Sequence, residues 1–279
     1  MYKLGLTFAG GGGKGSYEIG VWKYLHQIGL DKYVSVVSGA SVGALNAVLF
    51  MNGDLDIAEK IWREQIENKI TKNYSVKKTL SAVRRPDKYG FCSRTGLLYI
   101  IDNNIDLDKI SKTTIKAYVA LEELPHITNN HFVQAVIGRK KYFKPTYKLL
   151  NGNKPDTIKE LLLASSAIPG VFAAEKVGDK FYYDGGLKDN VPVKPLYDEG
   201  CTHAIVIHLS PRGKGIFKYE SNFNHIIHIN PSRNLGKGKL FKGALDFSPE
   251  GVNWRISLGE WDSKNKHASE LKAFLEDFS

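Results

Sequence analysis

The run Val36-Val37-Ser38-Gly39-Ala40-Ser41-Val42-Gly43-Ala44-Leu45-Asn46-Ala47 decides how the rest of the chain is read. A short β-branched apolar stretch leads to a serine with a glycine two places away on either side, and good helix formers follow. That is the strand, sharp turn and helix of a nucleophile elbow. Gly39 and Gly43 allow the tight, strained turn, and the Ser41 hydroxyl stands exposed above a helix N-terminus. The same pattern also arises in a plain turn where the serine only caps the helix. The flanking sequence has to separate the two readings.

Upstream, Lys3 to Ala9 alternate as a buried strand and run directly into Gly10-Gly11-Gly12-Gly13-Lys14-Gly15. From Ser16 to Ile28 the apolar residues Ile19, Val21, Trp22, Leu25 and Ile28 fall at helical spacing, and Gly29 supplies a left-handed stop. The next strand, Val34 to Ser38, enters the elbow, and its helix reaches about Asn52. Two strands joined by a helix are expected to be parallel with a right-handed crossover. The glycine loop and the elbow then meet at the carboxyl edge of one sheet.

The glycine loop has two rival readings, and spacing removes both. A dinucleotide site fits Gly10, Gly12 and Gly15 but needs an acid at the end of the second strand, where Ser38-Gly39-Ala40-Ser41 stands. A phosphate loop needs Ser or Thr after Gly13-Lys14 and a glycine five residues before the lysine's partner; Gly15 and Phe8 occupy those places. What remains is a loop whose backbone N–H groups approach a small anion, with Lys14 adding charge or simply lying in solvent.

Downstream, a helix from Leu55 to about Asn68 carries Ala58, Ile61, Trp62 and Ile66 on one face. Strands are predicted at Ala117–Leu121, Phe132–Ile137, Lys141–Phe143, Lys180–Tyr183, Ala204–Leu209 and Ile226–Ile229, those at Phe132–Ile137 and Lys141–Phe143 forming a hairpin around Gly138. Helices are predicted at Thr157–Ser166, stopped by Pro169-Gly170, and at His267–Phe278. The whole reads as one domain, 1–279, with a motif-bearing core at about 4–209. A basic surface insertion is expected at about 69–110, and 211–279 is less defined.

The chain has 279 residues, 42% of them hydrophobic, which suffices for a full core. No apolar run has the length of a membrane span and the N-terminus lacks a signal-peptide pattern, so a cytoplasmic protein, at most peripheral to a membrane, is expected. Cys92 and Cys201 make no disulfide framework, and no cysteine-histidine spacing matches a metal site. A net charge of +10 favours polyanions. The basic residues cluster between Lys69 and Lys88 and at Arg139, Lys140, Lys141 and Lys144. Lacking aromatic interleaving or a helix-turn-helix, they rank an anionic bilayer ahead of nucleic acid.

If Ser41 is a nucleophile it needs a base, and two kinds are present. The ordinary hydrolase order would use a later acid and then His203, His208, His225 or His228, yet that fold builds more strands before its elbow than the single one found here. The other candidate is Asp184, which ends a strand and opens into Gly185-Gly186. A free aspartate, with a pKa near ~4, is a weak base; burial in a crevice and a direct bond to the serine strengthen it.

Gly10 to Gly15, then Gly39-Ala40-Ser41-Val42-Gly43, then Asp184-Gly185-Gly186, in that order and each after a strand, resemble the patatin-like phospholipase family. The likeness runs from about Leu4 to Leu209 and includes Asn46, Pro169 and Asp189-Asn190-Val191-Pro192. It implies a three-layer α/β/α fold with a central, mostly parallel sheet. It also implies a lipid acyl hydrolase with Ser41 as nucleophile, Asp184 as general base and the Gly11, Gly12 and Gly13 amides as oxyanion hole. The implied substrate is a phospholipid or another acyl lipid, with no cofactor, metal or calcium. Two alternatives stand beside it: a basic membrane-surface binding protein with little turnover, and a Ser-Asp-His esterase or thioesterase.

Overall fold

Strand and helix alternate along the chain, and alternation of this kind builds a sheet with helices packed on its faces. The computed structural model describes residues 2–66, 95–124, 145–169, 172–213, 219–236 and 243–278. The strands are β1 (Leu4–Phe8), β2 (Val34–Ala40), β3 (Lys116–Glu123), β4 (Pro145–Leu149), β5 (Glu175–Val177), β6 (Lys180–Asp184), β7 (His203–Ile207) and β8 (His225–Ile229). They form one sheet in the order β5-β6-β3-β2-β1-β7-β8, with β4 also paired to β3. The five strands β3-β2-β1-β7-β8 are parallel, while β4, β5 and β6 join antiparallel at one side.

Both faces of the parallel part are covered. Along β7, Ile205 and Ile207 pack with Leu6, Val37 and Val119 in the main core. Ala204 and Val206 pack with Val36, Leu196 and Cys201 on the other face. Strands buried on both sides read as continuous apolar runs, which is why His203–Ile207 (HAIVI) shows no polar alternation.

The helices are α1 (Ser16–Ile28), α2 (Val42–Asn52), α3 (Leu55–Lys60), α4 (Thr95–Asn104), α5 (Leu107–Lys112), α6 (Pro155–Ser165), α7 (Lys194–Asp198), α8 (Pro249–Lys266) and α9 (Ala268–Phe278). Helix α1 ends as its sequence requires, with Gly29 at φ 77° donating to the Leu25 and His26 carbonyls. Helix α3 starts at Asp54, whose side chain accepts the Ile57 N–H, and continues into a widened turn, Ile61–Gln65, that carries Trp62 inward.

Three regions differ from the sequence expectation. Residues 95–110, expected on the surface, place Ile100, Ile101 and Ile110 fully in the core. Helix α8 has no counterpart among the expected helices because its stripe is mixed: Arg255, Asp262 and Ser263 are buried beside Val252 and Ile256, while Trp254 and Trp261 are exposed. Hydrogen bonding offsets part of that burial, since Asp262 Oδ2 accepts from the Tyr17 hydroxyl at 3.1 Å and the Ser232 N–H at 2.8 Å, while Oδ1 has no partner among the described residues. Strands β4 and β5 are short, with partly exposed faces, and carry little periodic signal. The expected strands at 132–137 and 141–143, and the basic clusters at 69–88 and 139–144, lie outside the described residues.

Candidate active site

Ser41 follows β2 directly, as the cap of α2, with φ 55° and ψ −126°, the sole non-glycine residue with positive φ among the described residues. Such a backbone costs of order 1–3 kcal/mol and persists only where the surroundings impose it. Here they do. A β-carbon at Gly39 would stand 2.2 Å from the Gly43 carbonyl oxygen, and one at Gly43 would stand 2.4 Å from that of Phe8, so the elbow closes only with glycine at both places. The Ser41 N–H donates to Ser165 Oγ at 3.0 Å, and Ser165 donates to the Ala120 carbonyl at 2.8 Å. Ser165, fully buried at the end of α6, ties the elbow to β3. No local pattern around Ser165 singles it out in the sequence.

Asp184 ends β6 and is brought to Ser41 by the pairing of β6 with β3. The Ser41 hydroxyl donates to its carboxylate, and the Gly186 N–H donates to Oδ1 at 2.7 Å. Burial outweighs these bonds and raises the carboxyl to about 6, closer to neutrality than an ordinary aspartate. Another acid sits nearby. Glu122 on β3 is buried, neither of its carboxylate oxygens has a hydrogen-bond partner among the described residues, and burial raises it to about 7. Lys188 opposes that rise and the charge of Asp184 adds to it.

The glycine loop is held at both ends. Gly10 donates its N–H to the Asn190 carbonyl at 2.9 Å and accepts Asn190 Nδ2 at 2.8 Å. The Lys14 N–H donates back to the Gly11 carbonyl. Underneath, the fully buried Glu18 accepts the Ala9 N–H and Asn46 Nδ2, each at 2.7 Å, and Asn46 in turn accepts Trp62 Nε1. Desolvation holds Glu18 well above the usual carboxylate range.

Gly11, Gly12, Ser41 and Asp184 line one cavity of about 290 Å³. Its walls are Val42 and Leu45 from α2, Ile66, Leu97 from α4, and Ile168 and Phe172 after α6. Ala244, Leu245 and Phe247, ahead of α8, close another side. The result is a largely apolar chamber with a hydroxyl–carboxylate pair and the two loop glycines, Gly11 and Gly12, in its wall.

The remaining expected residues are placed elsewhere. Gly13 is buried and does not line the cavity, and the Lys14 stem lies toward Gly236 and Gly243. None of His203, His208, His225 and His228 lines it either. His203 packs edge-on to Phe274 and Phe278 with Nε2 3.3 Å from Asp277, and His225 begins β8 at the same end of the sheet. His208 bonds His228 at 3.0 Å, and Glu220 lies 2.9 Å beyond. Cys201 is buried and free, and no group of three metal-binding side chains occurs among the described residues.

The family model described as patatin-like phospholipase matches residues 6–197, which include the glycine loop, the elbow and Asp184. Among solved structures, the chain is similar to human GIVD cytosolic phospholipase A2, with a TM-score of 0.54, 8% identity and coverage of 99% of this chain and 62% of that one. It also matches VipD from Legionella pneumophila at TM-score 0.48, 15% identity and coverage of 94% and 67%. The type III effector protein ExoU follows at TM-score 0.44, 14% identity and coverage of 98% and 53%. The chain thus spans between about half and two thirds of the length of these proteins. With the matched family model spanning more than half of its residues, the chain belongs to the patatin-like phospholipase family.

Proposed function

We propose that the protein is a lipid acyl hydrolase that cleaves carboxylic esters through Ser41 and Asp184. The observation that carries this reading is the hydrogen bond from the strained Ser41 hydroxyl to the buried Asp184, at the wall of an apolar cavity. Ser41 Oγ attacks the ester carbonyl carbon as its proton passes to Asp184, and the carbonyl oxygen becomes an oxyanion. Collapse of that intermediate breaks the acyl–oxygen bond, and the Asp184 proton goes to the departing alcohol. Water then adds to the acyl-enzyme, giving its proton to Asp184, and release of the fatty acid returns that proton to Ser41 Oγ.

The Gly11 and Gly12 amides are the donors we assign to the oxyanion. They stand at the start of a short helical turn, where N–H groups have no intrahelical acceptor, and both residues line the cavity. Gly13, set behind them, is the weakest of the three candidates. A largely apolar wall suits an acyl chain, which favours a phospholipid or another acyl lipid over a polar ester. The test is incubation of the purified chain with a mixed lipid extract and mass analysis of released acids, beside Ser41→Ala. Fluorophosphonate labelling at a residue other than Ser41 overturns the assignment.

A bilayer surface as the place of work has its own support. Trp254 and Trp261, 39% and 51% exposed, stand seven residues apart on the outer face of α8, with exposed Lys264 one turn on. Aromatic rings and lysines of this kind suit the headgroup region. No helix among the described residues is long and apolar enough to cross a membrane.

A further inference from the structure

The segment that closes the cavity beyond α7 is bolted to the glycine loop by one side chain. Arg255, on α8, is 1% exposed. Its Nε donates to the Leu235 carbonyl at 3.0 Å, and its Nη1 donates to the Asp246 carbonyl at 2.9 Å and to the Gly13 carbonyl at 3.1 Å. Its Nη2 pairs with the Asp246 carboxylate. A buried guanidinium is costly unless its N–H groups are bonded, and most of these bonds go to backbone carbonyls far apart in sequence. A fork of fixed geometry can hold those carbonyls together; a point charge on a flexible stem cannot.

The bond to Gly13 falls at a place where it matters. The Gly13 carbonyl also accepts Ser16 Oγ at 3.0 Å, while the N–H of the same peptide unit, that of Lys14, donates to the Gly11 carbonyl. Because a peptide unit is planar, tying its oxygen and its hydrogen fixes its rotation. At the other end, Asn190 holds Gly10 through two bonds. The two residues left between the anchors, Gly11 and Gly12, line the cavity. Gly12 lies at φ +57°, and a β-carbon there would stand 2.0 Å from the Ala244 carbonyl oxygen, so the segment leading to Arg255 rests directly on the loop.

We propose that Arg255 is a positioning residue for ester cleavage: by anchoring the Gly13 carbonyl and the 244–247 segment together, it sets the direction of the Gly11 and Gly12 amides toward the oxyanion. This rests on the proposed hydrolase reading. It assigns a part in the chemistry to a residue outside the segment, 6–197, that the family model matches.

The test compares wild type with Arg255→Met, Arg255→Lys and Ser16→Ala, using a p-nitrophenyl ester for turnover. A long-chain trifluoromethyl ketone reports oxyanion binding, and an alkyl ether lipid, which has no carbonyl, reports ground-state binding. Arg255→Met is expected to lower kcat by about 10²-fold with KM within about twofold, since a misdirected donor costs the transition state and not the bound substrate. Ketone affinity should fall in step with kcat while ether-lipid affinity holds. Lysine should not rescue, because it lacks the fork.

A folded Arg255→Met protein with wild-type kcat overturns the proposal, and so does equal loss of ketone and ether-lipid affinity, the mark of general loosening. Should neither arginine variant fold, Ser16→Ala removes the other donor to the same carbonyl without disturbing a buried charge. A kcat loss of about three- to tenfold at constant KM there supports the anchor, and unchanged kcat overturns it. Wild-type protein that neither turns over an ester nor labels at Ser41 removes the hydrolase reading itself, a failure distinct from the others.

Discussion

Two hydrogen-bonded chains of titratable groups stand at the carboxyl edge of one sheet. Ser41 and Asp184 come from β2 and β6; His208, His228 and Glu220 cluster beside β7 and β8. By residue type the histidine chain is the better equipped for proton transfer. It has no strained backbone, and none of its members lines the cavity. Burial beside His228 lowers His208 to about 4, so its ring is neutral and bonded to a neighbour. Burial raises Asp184 to about 6 and leaves it bonded to a serine. Desolvation acts on both; only the serine–aspartate pair is aimed at a space where a substrate fits.

The contrast is broken most directly by substitution at both places. Ser41→Ala and Asp184→Asn are each expected to lower ester hydrolysis by at least about 10³-fold, the scale seen when a nucleophile or its base is removed. Survival of turnover in Asp184→Asn alongside its loss in His208→Ala would return the base to the histidine. The pH profile sharpens the same point. As the proposed base, Asp184 would act as a carboxylate, so kcat/KM should fall about tenfold per pH unit below about 6 and level off above it. A limb near pH 4 would instead match His208.

Stability should run against activity at this residue. Asp184 titrates at about 6 when folded, above its ordinary 3.8, so the folded state binds the proton more tightly and stability drains away as pH rises through that window. Asp184→Asn should therefore be more stable than wild type by about 2–3 kcal/mol at pH 8, with the gain gone near pH 4, as read by urea unfolding. Next in size is chain-length preference. Phe247→Ala, which deepens the chamber, should shift kcat/KM toward longer acyl esters by about three- to tenfold. The smallest effect belongs to His208→Ala, expected within about twofold of wild-type turnover.

Features that obey a local rule are legible in the sequence. Gly39 and Gly43 around Ser41 are forced by close backbone approach, and Asp184-Gly185-Gly186 by the turn after a strand, so both can be read without coordinates. Helix α1 is bounded by a glycine loop and Gly29, and its limits are readable to the residue. Ser165, Glu122 and Arg255 obey no such rule. Each reaches the site across a long sequence separation, Ser165 to Ser41 and Arg255 to Gly13 among them. The lysine-rich run misleads for a related reason: charge ahead of α4 says nothing about the isoleucines that follow it.

The place of β1 in the sheet carries a consequence for how the protein is made. This central strand pairs with β2 on one side and with β7, some two hundred residues later in the chain, on the other. Until β7 leaves the ribosome, Leu4–Phe8 has an open, apolar edge, which invites pairing with other chains. A fragment cut at residue 197 would retain Ser41, Asp184 and every glycine of the loop, and would still lack the partner for that edge. Expression trials on this family member should keep the region through α8 attached.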